Sequence, residues 1–199
     1  MKILAFIISL LCASILSTPV YSQNEDGYYC NKEKFESKYK PICVLDENGS
    51  IYVQKILNFS QIDKKSLLDK TRVYLIKHNY KTNDVIRNRE TNVDEVSGTL
   101  ICNESVIRTA KSIMKSSFQV DYRVIVNVKD NRMRITISSE EFCYDKSPML
   151  LFKNYYPFTS KGKDRTVRTA FSLFFDHSER ILNDLYDSVI SSSKDSDDW

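Results

Sequence analysis

Residues 118–137, FQVDYRVIVNVKDNRMRITI, are the part of the sequence that most clearly indicates the fold. In its first half one face holds Val120, Tyr122, Val124, Val126 and Val128, and the other holds Asp121, Arg123, Ile125 and Asn127. A period of two residues is that of a strand with one buried face. Asp130 and Asn131 tolerate positive φ, so they predict a tight hairpin. The return strand, Arg132 to Cys143, buries Met133, Ile135 and Ile137 in the same way.

The segments before this hairpin predict three more strands and a helix. Residues 51–59 alternate like a strand, and helical spacing follows from about Gln61 to His78. Residues 60–63 read as a capping box, and Asn79 as a left-handed C-cap. Two further strands are expected at 84–90 and 94–102. Residues 103–116 fit a short helix or a strand extension almost equally well.

A long helix is predicted to begin near Asp164. Its apolar stripe recurs at helical spacing and contains Val167, Phe171, Phe174, Ser178, Leu182, Leu185 and Val189. The element order β-α-β-β-β-β-α predicts an α+β fold, in which an antiparallel sheet of about five strands carries helices packed on one face.

Composition excludes several classes of protein. The chain has 199 residues, of which 42% are hydrophobic and 28% charged, with a formal net charge of +3. This balance excludes a disordered chain, a collagen-like repeat and a polytopic membrane protein. The small charge and scattered basic residues speak against nucleic acid as a partner.

The N-terminus predicts export. Lys2 precedes an apolar run, Ile3 to Leu16, which is too short for a membrane span, and Pro19 follows it. Val20 and Ser22 occupy the −3 and −1 places of a cleavage site, so the mature chain is expected to start at Gln23. Lipid attachment at Cys12 is the alternative, disfavoured because Leu11 precedes it. The mature chain, with no transmembrane segment, is expected in the periplasm, on the cell surface or secreted.

The remaining chain divides into three parts. We expect an irregular N-terminal segment at 23–50, a single α+β domain at 51–190 that includes the long helix, and a polar tail at 191–199. Length supports one domain, because 177 residues suffice for one hydrophobic core.

A search for catalytic motifs is negative, so no catalytic residue, metal site or cofactor is predicted. The signatures of zinc sites, thioredoxin-type redox sites and α/β-hydrolases are absent. Asp176, His177 and Ser178 are triad residue types, but neighbouring helical positions diverge, and a surface helix is the simpler interpretation. Glu140 and Glu141 are interpreted as a solvated strand end. Residues 155–158, YYPF, are interpreted as a loop over the core, with a sugar-stacking platform as the alternative.

Four cysteines of the exported chain, Cys30, Cys43, Cys102 and Cys143, are candidates for disulfides. Three full pairings exist, and sequence does not choose among them. Cys102 and Cys143 are expected on strands that flank a common neighbour, too far apart for a disulfide. The best single candidate is Cys30–Cys43, which would close a short loop.

Residues 51–143 resemble a family of secreted Bacteroidota proteins known as domain of unknown function 4468, which has a TBP-like fold. The resemblance rests on the strand 51–59, the helix 66–79, the stretches VIR (85–87) and VSGT (96–99), and the hairpin strands YRVIVNVKD (122–130) and RMRITI (132–137). It implies a curved antiparallel sheet with two helices. It implies no catalytic residue. The insert at 103–116 and the cysteine set depart from the pattern.

Strand phase leaves one sheet face without helices, and this open face is the candidate binding site. It is expected to carry Tyr52, Ile56, Ile101, Arg123, Ile125, Arg132 and Arg134, together with Gln54, Ser97, Thr99 and Thr136. Apolar residues rimmed by arginine and tyrosine are typical of protein interfaces. The sequence therefore favours a non-catalytic binding domain for an unknown protein, polymer or small ligand. A carbohydrate-active or hydrolase-like accessory protein is the alternative.

Overall fold

The computed structural model describes residues 30–82, 86–88, 93–109, 112–156 and 164–194, with side chains over 30–82, 93–99, 116–156 and 164–190. The predicted signal peptide, its cleavage site and Cys12 lie outside these ranges, as do residues 195–199 of the predicted tail.

An antiparallel sheet forms the body of the fold. Its strands are β1 (Ile51–Asn58), β2 (Lys81–Thr82), β3 (Ile86–Asn88), β4 (Val93–Thr109), β5 (Ser112–Lys129), β6 (Arg132–Ser139), β7 (Glu141–Tyr144) and β8 (Leu150–Leu151). The order across the sheet is β1-β6-β5-β4-β2, and β3 pairs with β4 while β7 pairs with β5 and β8. The sheet is curled, and with its helices it makes the α+β fold that the element order predicts.

The hairpin read from residues 118–137 forms in the predicted register. Val124 pairs with Ile137 and Val126 with Ile135, so their side chains share the buried face. Asn131 adopts positive φ, +59°, in the turn. Its carbonyl accepts from Phe59 N at 2.8 Å, which also ties the end of β1 to this turn.

Of residues 103–116, for which the sequence left helix and strand open, 103–109 and 112–116 are strand. β4 and β5 pair along almost their whole length, with a register shift between Ile107 and Thr109. The helical periodicity of this segment is weak. Pairing with the partner strand supplies backbone hydrogen bonds along the ladder, and these stabilise the strand conformation.

Two helices cover one face of the sheet: α1 (Lys64–Lys77) and α2 (Asp164–Lys194). α1 begins later than predicted, because Asp63 is itself the N-cap, accepting from Ser66 N at 2.9 Å. The predicted capping box at Ser60 is therefore wrong. Asn79, with φ of +60°, has the expected left-handed conformation.

α2 carries the predicted stripe into the core, where all seven of its members are buried. Phe174 stacks on Tyr122 of β5 with ring centroids 5.6 Å apart. The helix continues to Lys194, so four residues of the predicted tail are helical. Among the described residues, no helix is long and apolar enough to cross a membrane.

The segment predicted to be irregular is helical over 32–42. It consists of an α-helical turn at Lys32–Lys34, a π-helical turn at Phe35–Tyr39 and a 3₁₀ turn at Lys40–Ile42. Two aromatic residues anchor it on α2: Phe35 meets Phe171 edge-on, and Tyr39 stacks on Phe175, each at 6.2 Å. Tertiary burial of these two rings, which are 0% and 1% exposed, stabilises a helical segment too short to be stable by itself.

This helical segment also explains the separation of Cys30 from Cys43. Cys30, Cys43 and Cys143 are free thiols, so the Cys30–Cys43 disulfide does not form in the structure. Helical residues 32–42 lie between Cys30 and Cys43, and their rise along the helical axis carries the two cysteines apart, whereas a disulfide needs Cα atoms within about 7 Å. The side chain of Cys102 lies outside the described residues.

Candidate functional site: a groove on the open sheet face

The strand register places the predicted binding residues on one face of the sheet. Tyr52 lies opposite Ser138, Ile56 opposite Arg134, and Ser138 in turn opposite Arg123. Ile125 lies between Ser97 and Thr136. Arg123, Arg132 and Arg134 are exposed, Ile56 is 46% exposed, and Tyr52 and Ile125 are half-buried. The backbone of Ile101 pairs with Asp121, and its side chain lies outside the described residues.

A groove of about 1120 Å³ runs over part of this face. Its floor contains Tyr52, Gln54, Thr99, Arg123, Ile125, Thr136 and Ser138 from four neighbouring strands. One end is closed by the turn at residues 45–50 and by residues 139–141, where β6 passes into β7. Ile56, Arg132 and Arg134 share the face but lie beyond the groove, toward the β5–β6 turn.

The turn that closes the groove is built by Asp46. Its Oδ1 accepts from the backbone N–H of Asn48 and of Ser50, each at 2.9 Å. Gly49, with φ of +81°, completes the turn and donates its N–H to the Asp46 carbonyl at 3.0 Å. This Asx-type turn fixes the wall next to Tyr52.

Charge is unevenly distributed along the groove. Five lining residues are acidic, namely Asp46, Glu47, Asp121, Glu140 and Glu141, and one, Arg123, is basic. Elsewhere carboxylates meet cations, as in the pairs Lys38–Asp176 at 3.0 Å and Lys64–Asp94 at 3.5 Å. Within the described part of the chain, none of the five groove carboxylates has such a partner.

Asp121 has a further peculiarity. Its Oδ1 is buried, and no described residue donates a hydrogen bond to it. A buried carboxylate oxygen without a donor is costly, and a cation brought close to the carboxylate offsets that cost. Among the described residues, the groove therefore contains a carboxylate oxygen that has no hydrogen-bond donor.

Glu140, interpreted as part of a solvated strand end, is exposed just after β6, whereas Glu141 is half-buried at the start of β7. Glu140 occupies the break between β6 and β7, and both residues line the groove. The break is a consequence of tertiary pairing, since β7 leaves β6 and pairs with β5 and β8. The alternation of β5 places Asp121 on the same face as Arg123, and residues 46–49 read as a turn in the sequence, but no sequence pattern indicated that this turn would line the same groove.

The other candidate sites do not assemble catalytic geometry. Asp176 accepts from Tyr39, Ser178 is fully buried, and the His177 ring lies 4.9 Å from that of Tyr122. The three residues diverge as expected. The surface interpretation is wrong for Ser178, which is fully buried, and for His177, which is half-buried against β5, whereas Asp176 is partly exposed. Burial lowers the pKa of His177, and nearby Asp184 opposes that shift.

The two described residues of the aromatic run at 155–158 have different environments. Tyr155 meets Phe142 edge-on at 6.0 Å and is half-buried, whereas Tyr156 is 42% exposed. Residues 157 and 158 lie outside the described ranges. Over the described residues, no group of three or more histidine, cysteine, aspartate or glutamate side chains is arranged to hold a metal ion.

No family model matches the chain, and no curated protein matches it. The chain is similar to a solved TBP-like protein from Parabacteroides distasonis, with a TM-score of 0.47 and 16% identity over 74% of this chain and 97% of that one. It is also similar to a DUF4468 family protein from Bacteroides ovatus, with a TM-score of 0.47 and 10% identity over 71% and 90% of the two chains. Both descriptions correspond to the resemblance drawn from the sequence. At this sequence identity and TM-score, the structural similarity gives no information about function.

Proposed function

We propose that this chain is an exported binding domain whose ligand occupies the groove on the open sheet face. The observation that carries the proposal is the groove itself. It combines hydrogen-bonding groups from Gln54, Thr99, Thr136 and Ser138 with apolar surface from Tyr52 and Ile125. Binding sites combine apolar surface with a few placed polar groups in this way.

Export is part of the proposal and is supported by the N-terminal sequence, with its basic residue, apolar run and small-residue cleavage pattern. Its test is production of residues 1–199 in a bacterial host that has a periplasm. We expect the periplasmic fraction to hold protein whose intact mass begins at Gln23. Retention of residues 1–22, or a lipid on Cys12, would contradict this part.

The binding proposal is tested by recording backbone amide NMR spectra of the mature chain. Two probes are added in turn: a soluble mixture of oligosaccharides and a mixture of short peptides of varied charge. We expect shifts confined to amides that line the groove, including Gln54, Ile125 and Thr136. Saturable shifts confined to the helical face would place binding elsewhere, and no saturable shift with either probe would argue against a binding groove.

A carbohydrate-active function is the second candidate, because Asp121, Glu140 and Glu141 share one groove with Tyr52. Glycosidases use a pair of carboxyl groups, and aromatic rings stack on sugars. Release of reducing ends from an added polysaccharide, lost in Glu140→Gln or Glu141→Gln, would support this candidate over simple binding.

A further inference from the structure

We infer that the ligand of the groove is a basic polypeptide segment in an extended conformation. The inference rests on the proposed binding function and adds the chemical class of the partner. The charge of the groove, its size and the mixture of side chains along its floor support a partner of this kind.

Charge complementarity selects a cation. The groove has five carboxylates against one guanidinium, in a protein whose formal net charge is +3. The net charge of the groove lining is therefore opposite in sign to the net charge of the whole molecule. Like charges held close together repel, and a cationic partner relieves that repulsion while the field of the groove steers it in.

The carboxylates are placed to hold several cations rather than one. Asp46 and Glu47 lie on the turn beside β1, Glu140 and Glu141 follow β6, and Asp121 lies on β5. No metal arrangement exists among the described residues, so the groove suits separate ammonium or guanidinium groups. Asp121, whose buried Oδ1 has no donor in the described structure, gains most from such a neighbour.

Size and surface favour a polypeptide over a small amine. At about 1120 Å³ the groove is close to the upper end of the roughly 300–1,000 Å³ that is usual for small-molecule sites, and is much larger than a simple amine needs. The methylene stems of lysine pack on apolar groups such as Tyr52 and Ile125 while their heads reach carboxylates. The hydroxyl and amide groups of Thr99, Ser138 and Gln54 can meet a peptide backbone.

The test is fluorescence anisotropy of the mature chain with a labelled peptide of alternating lysine and threonine. About ten residues suffice, since they extend over roughly 33 Å. We expect saturable binding that weakens at least tenfold between low and high salt, and no binding of the matched peptide with glutamate for lysine. Equal binding of both peptides would overturn the inference.

Two variants with opposite expected effects make the test specific. E140Q/E141Q should weaken the lysine peptide about fivefold, because two exposed charge contacts are lost. R123Q should strengthen it, because the groove loses its guanidinium. The matched control is D69N/D187N, which removes two exposed carboxylates from the helices. Thermal unfolding of each variant confirms folding.

The outcomes separate this inference from the proposed function. If D69N/D187N weakens binding as much as E140Q/E141Q, the attraction is to net charge and the inference fails. Groove amides that shift with oligosaccharide but not with the lysine peptide would overturn the basic partner and leave the binding groove standing. No saturable shift with either would remove both.

Discussion

The hydroxyl of Tyr39 lies 2.8 Å from each carboxylate oxygen of Asp176, and donates to that carboxylate across 137 positions of sequence. This contact links the N-terminal helical segment to α2. Lys38 adds an ion pair to the same carboxylate at 3.0 Å. Burial and the neighbouring carboxylate raise the pKa of Tyr39, so its hydroxyl remains a donor.

Removal of this hydroxyl should loosen the N-terminal helical segment. Hydrogen bonds to charged groups are worth about 1.5–3 kcal/mol, and the partial exposure of Asp176 lowers this, so we expect Tyr39→Phe to cost about 1–2 kcal/mol. The measurement is urea unfolding followed by circular dichroism. Tyr186→Phe is the control, because that ring packs on Phe59 and is 39% exposed. Equal effects of the two variants would contradict the assigned role.

Stability should fall as the pH drops below the ordinary pKa of histidine. Burial lowers the pKa of His177 in the folded state, so the unfolded chain binds the proton more readily. The stability contribution of neutral His177 is complete above about pH 6.5 and is lost as the pH falls toward the folded-state pKa. Chevron or urea midpoints at pH 7.5 and 5.5 measure it.

The variants for this pH effect are His177→Gln and His78→Gln. We expect the first to flatten the change in midpoint between the two pH values and the second, at an exposed position of the α1 C-cap, to leave it unaltered. Among the described groups, Tyr122 of β5 lies against the His177 ring and Asp184 of α2 favours its charged form. A slope that persists in His177→Gln would assign the pH dependence to other groups.

The three described thiols should differ in reactivity. Burial raises the pKa of Cys43 to about 12 and also raises that of Cys30, so little thiolate forms at pH 8. Cys143 is only half-buried. We expect iodoacetamide to label Cys143 first and the other two only after unfolding, as read by peptide mass spectrometry. A Cys30–Cys43 peptide linked by a disulfide would show instead that exported protein oxidises this pair.

Charged substitutions should destabilise the protein much less on the open face of the sheet than on the face under the helices. Ile56 is 46% exposed on the open face, so Ile56→Asp should cost less than about 1 kcal/mol. Ile135 is fully buried under the helices, and Ile135→Asp should cost more than about 4 kcal/mol or prevent folding. Ile125→Asp, at a half-buried groove position, should fall between them. Thermal melts rank the three, and a severe loss in Ile56→Asp would mean the open face is covered.

Elements whose residue pattern reports burial directly could be predicted from the sequence alone. The alternation in residues 118–137 placed Tyr122 and Ile135 inward and Arg123 and Arg134 outward, and the stripe on α2 placed Phe171 and Leu185 in the core. Side-chain period and burial are coupled in strands and helices, so these assignments need no knowledge of the partner element.

Features that depend on distant partners were set by tertiary contacts. Residues 103–109 and 112–116 are strand because β4 and β5 pair, and 32–42 are helical because Phe35 and Tyr39 pack on α2. The groove depends on the Asp46 turn and on the break at Glu140, which line the same groove although they lie 94 positions apart in the sequence. Sequence patterns report the environment of one segment at a time, whereas a groove is made where segments converge in space.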